Sequence, residues 1–149
     1  EMVLSKTSGQ YVVPIARPAV DEEDDIFGFY VGMLGFKQLS DKLKTFKVGE
    51  TGYFFLVDNK NRFIAHPNDE QFLQQASEVN GVRELLEDKS LHNITSDIDG
   101  CPHHIFTSQI PNTDWTLFLS LEEEELHQSI EYIKAFSTIF ARIATKSGV

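Results

Sequence analysis

Apolar residues run unbroken from Tyr53 to Val57, stop at the polar stretch Asp58-Asn59-Lys60-Asn61, and resume at Phe63. The first run is made of strand-forming side chains. The residues after it bond their own backbone and tolerate left-handed conformations, so the pattern predicts a tight β-hairpin. Its second strand, Arg62 to Ala65, must end before Pro67, which has no N–H to donate to a ladder. Upstream, Gln10 to Val20 reads as a strand that Pro14 and Pro18 either confine to an edge or split. After an acidic turn, Ile26 to Leu34 forms a second apolar run, with Gly28 and Gly32 marking close backbone approach or a bulge. Phe36, Leu39, Leu43 and Phe46 have the spacing of a short amphipathic helix.

Downstream, Asn68 to Lys89 is expected to be helical in two pieces. Asn68 or Asp69 would cap the first, and Asn80-Gly81 would separate it from an apolar face at Val82, Leu85 and Leu86. Leu91 to Ile98 and Pro102 to Ile110 read as strands joined at Asp99-Gly100, a strong hairpin signal. Trp115 to Leu119 is a last strand, with Trp115, Leu117 and Leu119 on one face and Thr116 and Phe118 on the other. Ser120 and Glu123 then have the spacing of a capping box, and Glu122 to Glu125 suits the positive end of a helix macrodipole. That helix would carry Leu126, Ile130, Ile133, Phe136, Phe140 and Ile143 on one stripe.

The order from residue 49 onward is strand, strand, helices, then three strands. It predicts an α+β architecture: a PAS-like antiparallel five-stranded sheet with helices inserted between the second and third strands, and a long C-terminal helix. At 149 residues the chain can hold one full domain and a fragment of another, and its 12 phenylalanines point to a core of aromatic strands. The net charge of −10 argues against a nucleic-acid surface, which needs clustered Lys and Arg, and against anionic lipid headgroups. The single Cys101 permits no internal disulfide, which fits a cytoplasm or a bacterial periplasm. No apolar stretch approaches the roughly 20 residues that cross a bilayer. Because the chain opens at Glu1, it is expected to be cut from something longer that carries the membrane segments.

Catalysis is not expected. Cys101 with His103 and His104 is the best candidate for a nucleophile and base, yet Cys101 adjoins a turn, and adjacent strand residues face opposite sides. His66, His92, His103 and His104 lack metal-ligand spacing, and no phosphate or dinucleotide fingerprint is present, so neither a metal nor a cofactor is expected.

The hairpin from Gly49-Glu50-Thr51-Gly52-Tyr53 through Ala65-His66-Pro67 resembles the signature G-x-T-G-Y-x-F-L-V-D-x-x-G-x-I-x-A-H-P of Cache domains, sensor modules of bacterial receptors, with Asn61 in place of a glycine. Ile110-Pro111-Asn112-Thr113-Asp114-Trp115 resembles the family's closing strand pair. Tyr11 to Pro18 and Gly28 to Gly32 resemble the last strands of a membrane-distal module in double Cache sensors. The resemblance implies three parts: residues 1–45 as the tail of a distal module with a connecting helix, 46–121 as a membrane-proximal PAS-like module, and 122–149 as a signalling helix. It implies an extracytoplasmic ligand-sensing domain of a transmembrane receptor (a chemoreceptor, sensor kinase or diguanylate cyclase), periplasmic and anchored in the inner membrane. A small carboxylate or similar ligand would lie between sheet and helices, lined by Tyr53, Phe55, His66, Arg83, Phe106 and Trp115. Homodimerisation would run through the C-terminal helix. Met33 stands where amino-acid-sensing relatives carry an aspartate for the ligand ammonium, which argues against an amino-acid ligand. Two other readings remain: a cytoplasmic PAS-like interaction module dimerising through its terminal helix, and, well behind, a small hydrolase built on Cys101 and His103.

Overall fold

The structure, a computed structural model, describes residues 2–126. Two antiparallel sheets are joined by one helix. β1 (Val3–Leu4), β2 (Tyr11–Val20) and β3 (Ile26–Gly35) form a three-stranded sheet in that order. α1 (Phe36–Lys44) follows without a gap, with Phe36, Ser40 and Leu43 on its buried side and Lys42 and Lys44 in its last turn, where they complement the helix dipole. The second sheet contains β4 (Tyr53–Val57), β5 (Phe63–Ala65), β6 (Asn93–Ile98), β7 (Cys101–Gln109) and β8 (Thr116–Glu122), in the order β5-β4-β8-β7-β6. α2 (Val82–Glu87) lies in the connection between β5 and β6, and α3 (Glu123–Leu126) begins directly after β8.

The five-stranded sheet is a middle layer with a core on each face. Strand alternation sends Phe54, Leu56, Leu117 and Leu119 to one side, where they meet Phe36 and Leu43 of α1. Phe55, Val57, Ile105 and Phe118 go to the other, against Ala76, Val82 and Leu85 of the insert. β8 has neighbours on both edges and both faces, and Leu117 to Leu121 are all buried. Each such Leu or Phe contributes about 1.5–3 kcal/mol by leaving water. The split of β8 into a Trp115/Leu117/Leu119 face and a Phe118 face follows the expected alternation.

Local chemistry accounts for the turns. Asn61 has φ 58°, the left-handed conformation expected of it, and Asp58 accepts the backbone N–H of Lys60 and of Arg62, both at 2.9 Å. Asp99 and Gly100 both have positive φ, 53° and 85°, which matches the right-handed twist of the β6–β7 ribbon. β2 is one unbroken strand rather than two. Pro14 and Pro18 are four apart, so their missing donors fall on the same edge of the strand, beyond the reach of the short β1.

Two expectations are overturned. The stretch from Asn68 onward holds one six-residue α-helix and two 3-10 turns, Asp69–Gln71 and Ala76–Glu78, rather than two helices. Between the turns, Leu73 takes φ 67° and the chain zips onto β5: Phe63 N–H donates to Gln74 O, Leu73 N–H to Phe63 O, and Ala76 N–H to Asn61 O. The β5 edge is thereby paired, and the helix is lost to that pairing. Asn68 does cap the first turn, accepting from Glu70 N–H at 3.0 Å. Second, Ser120 is not a helix cap. It lies inside β8 opposite Tyr53 and Ile105, fully buried, with its hydroxyl 2.9 Å from His103 Nδ1. The expected stripe from Ile130 to Ile143 lies outside the described residues.

Candidate functional site

β4 places Tyr53 and Phe55 two residues apart on the insert side of the sheet, and the end of β5 brings His66 beside them. The His66 ring centroid is 5.6 Å from those of both Tyr53 and Phe55 and 5.0 Å from Phe63, and Phe55 stacks on Phe118 at 5.0 Å. These rings fill one another's space. Burial pushes the Tyr53 hydroxyl above its ordinary pKa, with Ser120 opposing. Burial also holds the His66 imidazole below its ordinary value. The backbone at Asn68 opposes that shift, and the Lys44 charge adds to it. Its Nδ1 accepts the Asn68 N–H at 3.0 Å, so the neutral ring pins the chain as it leaves β5.

The other three residues implied by the resemblance are elsewhere. Arg83 is exposed on α2, and its Nε donates to Ser77 O at 2.8 Å. Phe106 and Trp115 belong to the opposite, α1 face, with Trp115 5.8 Å from Phe36 and Phe106 stacked on His104 at 6.1 Å. Tyr53, Phe55 and His66 are brought together; Arg83, Phe106 and Trp115 do not join them.

Open space lies in two other places. A groove of about 360 Å³ separates Tyr11 and Gln10 from α1 and the β5 exit, floored by Phe36 and Phe72 with His66 and Asp69 at its side. A cleft of about 420 Å³ opens at the far end of the insert face, between Thr107 and Thr116 on the sheet and Leu85 and Leu86 on α2, with Lys89 in the turn after it. One sequence signal could have pointed to the cleft. Thr107 and Thr116 take inward positions on strands whose neighbours on that face, Ile105 and Phe118, are core.

A third feature ties the sheet to the start of α3. The Glu125 carboxylate accepts the N–H of Glu50, the N–H of Thr51 at 2.9 Å and the Thr51 hydroxyl at 2.5 Å, and the Thr51 oxygen accepts Glu122 N–H at 3.3 Å. The Thr51 hydroxyl bond, with the two backbone donors, holds the Glu125 carboxyl below its ordinary pKa. Gly49 has φ 63°, and a side chain there would run into that carboxylate. His104 adds a 3.7 Å approach to Glu123. The acidic run read as a helix-dipole feature thus has one member clasped around the Gly49–Gly52 loop.

Among the described residues no three His, Cys, Asp or Glu side chains come together as metal ligands. Cys101 is exposed at the β6–β7 turn, whereas His103 is buried against Ser120. Among the described residues no helix is long and apolar enough to cross a membrane.

The architecture is shared with solved sensor domains. The ligand-binding domain of the Pseudomonas fluorescens chemoreceptor CtaA, solved with L-isoleucine, is similar at 20% identity and a TM-score of 0.60, over 86% of this chain and 52% of that one. The ligand-binding domain of the Pseudomonas aeruginosa PAO1 amino acid chemoreceptor PctB, solved with L-Arg, is similar at 20% identity and a TM-score of 0.60, over 87% and 56%. The extracellular domain of the putative histidine kinase mmHK1S-Z2 is similar at 19% identity and a TM-score of 0.59, over 79% and 48%. The chain therefore spans about half the length of the structures it matches. No curated protein matches it. The family model for the Cache domain matches residues 1–130, and the chain belongs to that family.

Proposed function

We propose that this chain is part of an extracytoplasmic ligand-sensing domain of a bacterial transmembrane receptor, periplasmic and without catalysis of its own. In this reading residues 46–121 are a PAS-like membrane-proximal module, 1–45 end a membrane-distal one, and 122–149 lead the signal out through a helix that also pairs two copies. The observation that carries the transmission step is the Glu125 clasp. The carboxylate is attached to α3, and its donors sit on the loop that opens β4, so any ligand that displaces β4 shifts the helix start with it. Because that clasp can be made or broken, it gives two states, and a ligand shifts them only by its differential affinity.

The ligand is a small molecule, as in the chemoreceptors named above, whose solved forms hold amino acids. Nothing in the geometry favours a carboxylate at the aromatic cluster, because Arg83 is turned onto Ser77. A thermal-shift screen against small carboxylates, amino acids, amines, sugars and purines tests the binding half. A ligand at 100 times its Kd adds about 2.7 kcal/mol. The transmission half is tested by fusing the chain to a kinase output. Ligand-dependent activity that Thr51→Ala uncouples without loss of binding supports it, whereas an output indifferent to both ligand and clasp sinks the reading.

A further inference from the structure

The position of the open space on the insert face does not match the position of the implied ligand residues. At one end of that face, Tyr53, Phe55, Phe63, His66 and Phe118 pack ring against ring. At the other end, beyond Leu85, the sheet and α2 diverge into the cleft of about 420 Å³. That volume is in the range of small-molecule sites.

The lining of the cleft states what it would hold. Thr107 Oγ1 is buried with no hydrogen-bond partner, and it is the only such side-chain atom among the described residues. A buried hydroxyl without a partner costs free energy, and a ligand atom recovers it once the Thr107 side chain turns its hydroxyl into the cleft that the residue lines. Thr116 donates its hydroxyl proton to Gln109 Oε1 at 3.2 Å, which leaves its oxygen as an acceptor. Asp58 is already saturated: Lys60 and Arg62 N–H occupy Oδ1, and the Arg62 guanidinium holds Oδ2 at 2.6 and 3.0 Å. It therefore neither attracts a cation nor repels an anion strongly. The charges left over are Lys89 and Asp114, of opposite sign, with the His92 imidazole also in the lining, and among the described residues neither Lys89 nor Asp114 has an ion-pair partner. Hydroxyls and carboxamides thus face a wall of Leu85, Leu86 and Leu91, and the Lys89 and Asp114 charges offset one another.

We infer that this cleft is a binding site for a small uncharged polyhydroxylated molecule, a monosaccharide or cyclic polyol, whose hydroxyls bond Thr107 and Thr116 while its apolar face lies on the leucines. The inference rests on the sensing reading and supplies its ligand class and location. A singly charged metabolite gains little here, because a carboxylate drawn to Lys89 also meets Asp114, and an ammonium drawn to Asp114 also meets Lys89.

The test is isothermal titration of the 149-residue chain with D-glucose, D-galactose, D-ribose and myo-inositol, against acetate, succinate and putrescine as charged probes and L-alanine as a zwitterionic one, counted with the charged set. Saturable binding of at least one neutral probe is expected, with affinity at least tenfold above that of any charged one. Thr107→Val removes the hydroxyl and keeps the shape, and should weaken that binding at least tenfold. Leu86→Trp, which fills the cleft from a half-buried position on α2, should abolish it with the circular dichroism spectrum unchanged, and keeps the test decisive if the valine variant fails to fold. Binding indifferent to both variants, a preference for charged probes, or no neutral probe bound at all would each overturn the assignment. The two readings fail separately. A bound sugar without effect on a fused output leaves the site standing and removes the sensing role. A charged ligand that binds elsewhere and drives the output does the reverse.

Discussion

β8 and β3 are both long apolar strands, and they live in opposite surroundings. β8 has five consecutive residues, Leu117 to Leu121, in the buried core of the five-stranded sheet, with a strand on either side and packed side chains above and below. β3 pairs on one edge only, and Phe27, Phe29, Tyr30, Val31 and Met33 are 59–71% exposed. Cross-strand pairing puts Phe29, Val31 and Met33 on one face with Pro18, Ala16 and Pro14, an apolar patch with no layer on it among the described residues. Apolar content tells what a strand requires. Whether the requirement is met depends on layers that come from elsewhere in the chain, and a β2–β3 ribbon that β1 extends over only two residues is marginal in water without a covering layer.

The contrast is broken most directly from the β8 side. Phe118→Ala removes the ring stacked on Phe55 and leaves a void between sheet and insert. It should destabilise the module by about 3–5 kcal/mol in urea denaturation. A loss below about 1 kcal/mol would mean that the insert face is no better packed than β3.

Next in size is the clasp, which belongs to the covered module yet involves partly exposed groups. Glu125→Gln keeps the shape and weakens three charge-assisted bonds, and a loss of about 1–2 kcal/mol is expected by thermal or chemical unfolding. Its pH dependence has a definite sign. The folded carboxyl binds its proton less tightly than the unfolded one, so the contribution is complete above the ordinary glutamate value of 4.5 and drains away as pH falls toward the folded pKa. The Gln variant should lack that component. An identical acid limb in both proteins would remove the clasp from the folded state in solution.

His66 supplies a smaller effect of the same form. Burial depresses its folded pKa, so stability is fully present above 6.5 and declines as pH falls below it, where the unfolded ring gains a proton first. His66→Gln, measured from pH 7.5 to 5.5, should flatten that decline. An unchanged slope would show that the ring leaves its aromatic neighbours in solution.

Local periodicity made much of this legible. The hairpin at Asp58–Asn61, the Asp99-Gly100 turn, α1 and the two faces of β8 all follow from spacings within a few residues. What escaped depends on distant partners. Leu73 to Ala76 pair with β5 instead of forming a helix, because Phe63 offers an open edge that no window along 68–89 contains. Ser120 reads as a cap until His103, seventeen residues back, is found beside it. The site behaved likewise. Phe55 and Trp115 share a motif family but face opposite cores, since the register that sets Phe55 against Phe118 also sets Trp115 toward α1. Thr107 was missed because its partnerless hydroxyl is visible only once the cleft exists.

The smallest expected effect sharpens the comparison most. Phe29→Ser changes a side chain 65% exposed in the described structure, so the unfolding midpoint of the 149-residue chain should move by no more than about 0.5 kcal/mol. Its solubility should rise, and its binding of a hydrophobic dye should fall, because the patch at Phe27, Phe29, Val31 and Met33 is divided by a hydroxyl. Phe118 and Phe29 would then differ by several kcal/mol for a similar loss of aromatic surface. A large loss at Phe29 instead would mean that the β3 face is covered in solution, and sedimentation of the wild type would show whether a second copy covers it. In a longer protein that carries a full distal module, the same substitution should cost about as much as Phe118→Ala. The difference between the two backgrounds would measure how much of β3's stability comes from the layer that β8 already has.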